Sequence, residues 1–308
     1  MSTDALSLED LRGDPRRLRK ERTVRIVLLG AALTSIAISA AIILSLAGEA
    51  WTFVSQVEWA TLWTDGWFPR RGMYDIKTIV VGSLMITAVA MAIATPLGLG
   101  AAVYLSEYAS PRVRNVLKPT LEILAGIPSV VLGFFALSFI SPDVVQRFFG
   151  EATQFNMLAA GIGVGILVVP LVASVSEDAM RSVPAALREA SYGVGARKLT
   201  TTVRVVIPAA VSGLVASFII AVSRAIGETM VVFIAAGATG GALFSVDLLG
   251  PGQTMTAAMA SQAAGTDQVR GAGLTFQSLF FVGFLLFFTT MVLNIAADRF
   301  VRRVRQAY

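Results

Sequence analysis

Cysteine and histidine are both absent from this chain of 308 residues. The first absence excludes disulfides, thiolate metal ligands and a cysteine nucleophile. The second removes Ser-His-Asp chemistry, most transition-metal sites and the usual proton shuttle near neutral pH. No Gly-Lys dipeptide occurs, so a Walker A phosphate loop is excluded and any ATP must be hydrolysed on another chain. Gly98-Leu99-Gly100 and Gly161-Ile162-Gly163-Val164-Gly165 lie inside apolar runs and follow no strand. They predict close helix contact, not a dinucleotide fold. Charge is scarce as well: charged residues make up 15% of the chain and hydrophobic ones 55%, with a mean hydropathy of +0.72.

What is present is a set of apolar runs long enough to cross a hydrocarbon core of ~30 Å. Six are read, over roughly Val24 to Ala47, Ile79 to Leu105, Leu117 to Ile140, Met157 to Ser176, Pro208 to Ala236 and Ser278 to Ala296. The expected fold is therefore an all-α integral membrane protein with six transmembrane helices. Threading them puts most basic residues on one side: Arg12, Arg16, Arg17, Arg19, Lys20, Arg22 and Arg25, then Arg112, Arg114 and Lys118, then Arg181, Arg188, Arg197, Lys198 and Arg204, and finally Arg299, Arg302, Arg303 and Arg305. The other side holds Arg70, Arg71, Lys77, Arg147 and Arg270. The positive-inside rule then predicts both termini in the cytoplasm. Basic residues flank the spans instead of forming one face, which points to anionic lipid headgroups and not to nucleic acid. The first span follows a tail with Asp4, Glu9, Asp10, Asp14 and Glu21 and has no small-residue cleavage site, so it reads as an uncleaved signal anchor. The expected organisation is a basic tail (1–23), a first span with a Trp-rich outer loop (24–78), a core of five spans (79–300) containing a polar loop (177–207), and a second tail (301–308).

The polar stretch from Leu187 to Gly213 has a distinctive spacing: Glu189, Ala190, Ser191, three residues, Gly195, nine residues, Val205, one residue, Ile207, Pro208. Gly195 suits a turn that a residue with a Cβ resists, and Pro208 suits the first turn of the next helix, where its missing donor costs nothing. An ordinary polar loop between spans is the plain alternative. The spacing resembles the EAA loop of ABC-importer permeases, Glu-Ala-Ala, three residues, Gly, nine residues, Ile, one residue, Leu-Pro. Ser191, Val205 and Ile207 depart from it by small or isosteric exchanges. The resemblance implies a coupling helix that fits a groove on a cytoplasmic ATPase.

Within the fifth run, Arg224 is followed at i+4 by Glu228. Counting ~1.5 Å per residue from Pro208 puts Arg224 about 24 Å along the helix, in the outer half of the membrane. An arginine facing lipid there would cost roughly 2.5–3.5 kcal/mol, so it must face protein or water. Two readings stand: an internal ion pair that orients the helix, or a guanidinium fork lining an anion pathway. Glu228 either holds the Arg224 rotamer or bears a proton that discriminates protonated phosphate. Glu122, before Gly126, Ile127 and Pro128, reads as a snorkelling side chain or a partner of Lys118. Pro96, Pro128 and Pro170 permit bends in three spans. Trp59, Trp63 and Trp67 recur at intervals of four, as on an amphipathic helix lying among headgroups or touching a binding protein. The outer segment Gly237 to Gly273 is expected to close over the fifth helix.

Four strings, SRAIGETM (Ser223 to Met230), EILAGIPSVVLGFFAL (Glu122 to Leu137), LREASYGVGA (Leu187 to Ala196) and TPLGLGAAVYLSEY (Thr95 to Tyr108), resemble the phosphate permeases of the Pst system. The last span, FQSLFFVGFLLFFTTMVLN, is closer to PstC-type than to PstA-type subunits. The resemblance covers nearly everything after Lys77 and implies a type I ABC importer permease core of MetI-like fold in a bacterial-type plasma membrane. It carries over Arg224 and Glu228 as residues needed for phosphate movement, with Ser223 and Thr229 beside them. It implies a second, PstA-like permease, a PstB-like ATPase dimer that holds ATP and Mg²⁺, and a PstS-like extracytoplasmic phosphate-binding protein. No cofactor or metal is expected on this chain, and no enzymatic activity. The alternatives are the same machine for molybdate, tungstate or sulfate, an ATP-independent anion carrier or channel, and a passive membrane scaffold.

Overall fold

The computed structural model describes residues 15–64, 66–237, 240–264 and 273–304. The tail and loop charges Asp4, Glu9, Asp10, Arg12, Asp14, Arg270 and Arg305 lie outside them. Among the described residues six helical stretches are long and apolar enough to cross a membrane: Lys20–Gln56, Ile76–Tyr108, Ser129–Phe148, Met157–Arg181, Lys198–Ile226 and Thr275–Arg303. Their elements are α1 (Pro15–Gln56), α2 (Ile76–Val103, prolonged by a π-turn at Tyr104–Tyr108), α3 (Pro111–Ala125), α4 (Ser129–Phe135, running through a π-helical Ala136–Val145 into α5, Gln146–Phe148) and α6 (Met157–Arg181). After these come α7 (Ala185–Gly193), α8 (Lys198–Thr201, joined by a π-turn at Thr202–Val206 to α9, Ile207–Ile226), α10 (Met230–Ala235), α11 (Met255–Ala263) and α12 (Thr275–Val304). A small antiparallel hairpin, β1 (Trp67–Phe68) with β2 (Met73–Tyr74), precedes α2.

At the centre α2 and α6 pack against each other along their length, α9 lies on α6, and α12 joins α9 to α1. The glycines named above make the central contact possible. A Cβ added at Gly161 would come within 2.6 Å of Val89, one at Gly98 within 2.6 Å of Val172, and one at Gly165 within 3.0 Å of the Ala90 carbonyl. Around this seam Ile86, Ala90 and Ala94 meet Val164, Val168 and Ala221 in one buried cluster. Polar side chains start both central helices. Asp75 accepts hydrogen bonds from the Lys77 N–H and the Thr78 hydroxyl at the head of α2, and Asn156 Oδ1 accepts from the Ala159 N–H, 2.7 Å away, at the head of α6.

The far end of α6 is tied to α3 by charge. Glu177, fully buried, accepts from Arg114 Nε and Lys118 Nζ, both at 2.7 Å, and Lys118 also reaches Asp178. Burial opposes the Lys118 charge, but its hydrogen bonds to Asp178 and Glu177 prevail and its pKa lies above the ordinary lysine value.

Several expectations need correcting. The third span does not begin at Leu117. α3 is a separate helix closed by Gly126, because Ile127 precedes Pro128 and is pushed out of helical conformation; the crossing starts at Ser129. Pro128 thus stands at the head of a span, not inside one, and the exposed Glu122 belongs to α3 while Lys118 is committed to Glu177 and Asp178. The fifth run is broken too: α9 stops at Ile226, and Gly227 to Thr229 separate it from α10. Pro208 falls in the first turn of α9, as expected, and the π-turn ahead of it, with Ile207 N–H bonded to the Thr202 carbonyl, joins that helix to α8 in one run from Lys198. The tryptophans share no helical face either: Trp59 and Trp63 are exposed on a 3₁₀ turn, whereas Trp67 is buried in β1.

Replacing Gly98 with Leu drives a side chain into Val172 and should cost about 1–3 kcal/mol through overpacking. At Gly100, where an added Cβ meets nothing within 4 Å, Ala should leave the melting temperature unchanged or raise it. Thermal unfolding of the two variants in detergent checks the contrast.

Candidate functional site

The break in the fifth span is where the unusual charges meet. Arg224 occupies the last turn of α9, where a cation suits the helix C-terminus. Its Nη1 donates to Glu228 Oε2 at 2.6 Å. The other carboxylate oxygen, Oε1, accepts from the backbone N–H groups of Met230 (3.2 Å) and Val231 (3.4 Å), which open α10 without helical partners. Glu228 thus does two jobs: it holds the arginine and satisfies the donors released by the break.

The pair is strongly asymmetric. The Glu228 side chain is 3% exposed and that of Arg224 46%. A planar fork of five donors, one of them engaged by Glu228, is thus held at one edge and presented at the other. The ion pair of the first sequence reading is present, and the Arg224 side chain stays half-exposed beside it.

The flanking residues are placed differently. Ser223 donates to Asn294 Oδ1 of α12 at 3.2 Å, and Thr229 bonds only locally, to the Gly227 carbonyl at 3.4 Å. Among the described residues neither side chain is hydrogen-bonded to the Arg224 guanidinium. Two contacts at the break escaped the sequence reading. One is Asn294 itself, a lone amide in an apolar run, which was a visible signal. The other is Thr256 of α11, whose hydroxyl donates to the Glu228 carbonyl at 2.7 Å across 28 positions. The outer segment does close over the fifth helix, as expected, through this bond and through Gly252 N–H to the Ala236 carbonyl.

The second candidate region is the loop between the fourth and fifth spans. Gly195 turns it with a φ of +81°, and a Cβ there would meet no neighbour, so backbone conformation and not space demands glycine. Glu189 and Ala190 lie exposed in the middle of α7, not at its head. Ser191 bonds the Thr201 hydroxyl at 2.9 Å and closes the loop on itself. Val205 and Ile207 are half-buried at its base, where Ile207 packs with Ala102, Met180 and Val206; Pro208 is exposed. The motif therefore splits into a presented set and an anchoring set. Around the presented residues Tyr192, Val194, Leu199 and Val203 expose apolar surface, with Val194 86% accessible.

The family described as "Binding-protein-dependent transport system inner membrane component" matches residues 94–306. The chain is 32% identical over 280 residues to the phosphate transport system permease protein PstC 1 of Mycobacterium tuberculosis, covering 82% of each. It is 36% identical over 188 residues to the probable ABC transporter permease protein YqgH of Bacillus subtilis, spanning 60% of each chain. In structure it resembles a subunit of a bacterial alginate ABC transporter crystallised with an alginate-bound periplasmic protein, at a TM-score of 0.68 and 13% identity, covering 95% of this chain and 98% of that one. This last likeness concerns the fold.

The twofold role of Glu228 predicts a split between variants. Glu228→Gln keeps an oxygen acceptor for the α10 N–H groups and should retain the wild-type melting temperature within a few degrees. Glu228→Ala leaves buried donors unmet and should lose about 1–3 kcal/mol. Thermal unfolding of the purified variants separates the two.

Proposed function

The chain belongs to the family of binding-protein-dependent transport system inner membrane components, among its PstC-type phosphate permeases, and from that premise we propose that Arg224 receives the transported phosphate while the loop around Gly195 docks an ATPase. It is a multi-pass permease subunit, one member of an ABC complex. In this reading its partners are a second permease of PstA type, an ATPase dimer that binds ATP and Mg²⁺, and an extracytoplasmic phosphate-binding protein. Both termini and the docking loop face the cytoplasm, as the positive-inside bias supports.

One observation carries the substrate role: a half-exposed guanidinium gripped from behind by a buried carboxylate at a helix break. The fork matches phosphate oxygens, and with Glu228 fixing one edge little side-chain freedom is lost on binding. Holding the anion at a single residue keeps binding shallow enough for release. ATP binding would draw the two docking loops together and open the pathway to the binding protein. Hydrolysis would return it inward.

The exposed Glu189, Ala190, Tyr192 and Val194 supply the docking surface, and the Gly195 turn sets its angle. An ATP-independent carrier gives no reason for such a surface, and the Glu189 to Pro208 spacing counts against it.

Arg224→Ala should abolish phosphate uptake in vesicles while the assembled complex still purifies; normal uptake by that variant overturns the assignment. Arg224→Lys keeps the charge but not the fork and should retain only part of the rate. Competition of labelled phosphate uptake by molybdate, tungstate and sulfate tests the substrate, and equal inhibition by one of them would reassign it. Gly195→Leu forces a Cβ into left-handed backbone and should lower ATPase binding or stimulated hydrolysis. Intact stimulation would remove the docking role.

A further inference from the structure

Arg188 stands one position ahead of the Glu189-Ala190-Ser191 triplet, outside the EAA spacing. Its side chain is 19% exposed and converges on two elements. Nη1 donates to the Val183 carbonyl at 2.7 Å, and Nη2 donates to the Met180 carbonyl at 2.8 Å and to Glu107 Oε1 at 3.0 Å. Glu107, its side chain 3% exposed, sits in the π-turn that ends α2 and also accepts from the Ser106 hydroxyl at 2.7 Å. The other arm of the loop holds the same turn: Lys198 Nζ lies 4.9 Å above the ring of Tyr108. The loop thus grips the end of α2 from both of its short helices.

Toward its other end, α2 meets the segment that closes over the break at Glu228. Ser83 Oγ accepts from the Met255 N–H at 3.0 Å, and a Cβ on Gly82 would fall 2.3 Å from the Gln253 carbonyl oxygen. The adjoining Thr256 holds the Glu228 carbonyl. One helix, α2, with Pro96 inside it, therefore connects the π-turn held by the loop to the segment over the break. Desolvating a charged pair costs several kcal/mol, and an apolar pair would hold two helices together at least as well. The charges therefore suggest a duty beyond cohesion.

We propose that Glu107 and Arg188 form a coupling joint, a positioning pair that passes displacement of the docking loop into α2 and so to the Arg224–Glu228 break. This rests on the reading of the loop as an ATPase dock. The test uses the full complex in vesicles with its binding protein, measuring phosphate uptake and ATP hydrolysis on the same preparation. Glu107→Gln keeps the shape and leaves both carbonyl bonds of Arg188 in place. The ATPase should remain bound and active while phosphate moved per ATP falls about tenfold, within the usual range of coupling energies. A purely structural role would lower uptake and hydrolysis together, and an unchanged ratio overturns the proposal. If Glu107→Gln does not assemble, Lys198→Ala, at an exposed position, reads the second grip: a fall of about threefold in the ratio supports the joint, and no change refutes it. Failure of the wild-type chain to retain any ATPase would instead remove the docking reading itself.

Discussion

A backbone inside hydrocarbon finds no water, so every interrupted helix there must have its stranded N–H and C=O groups met by protein. Much of the arrangement follows from how this chain meets that demand in its fifth span. The break at Gly227 to Thr229 frees donors at Met230 and Val231, and Glu228 answers them. Burying that carboxylate calls for a cation, which Arg224 supplies from the preceding turn. The Glu228 carbonyl in turn is taken by Thr256, which draws α11 down over the break. A half-exposed guanidinium thus emerges from solving a backbone problem, and the elements that solve it also shape its surroundings.

Much of this was legible in one dimension. Two features of the candidate site, a charge pair at i+4 in an apolar run and a glycine at a turn, are local, and local spacing survives folding. The number of spans was legible for the same reason, since each needs only its own length and composition. The misplacements share another cause. A hydropathy window averages over about twenty residues and cannot see a break of three, so Gly126 to Pro128 and Gly227 to Thr229 were bridged. The bonds from Arg188 to Glu107, from Lys118 to Glu177 and from Thr256 to Glu228 join residues far apart in the chain, and nothing in the neighbourhood of either partner announces the other. Trp67 misled for a related reason: its interval of four suited a helix, but Gly66 at a φ of +136° and the antiparallel pairing with Tyr74 turn the chain into a hairpin.

The loop face shows a different use of charge from the break. There Glu177 and Glu107 each draw basic side chains inward, fastening α3 and α7 to the bundle. The exposed apolar side chains of the loop are left to other surfaces. Sorting ionic contacts to the base and greasy ones to the tip lets a partner bind by burying Val194 and Tyr192 without disturbing what anchors the loop.

The seam between α2 and α6 has a mechanical corollary. Gly161 lies under Val89, Gly98 under Val172 and Gly165 under the Ala90 backbone, so three notches and their teeth engage along the two rods at once. Sliding either rod by one residue would put a tooth where no notch waits. The two can therefore travel only as a single girder.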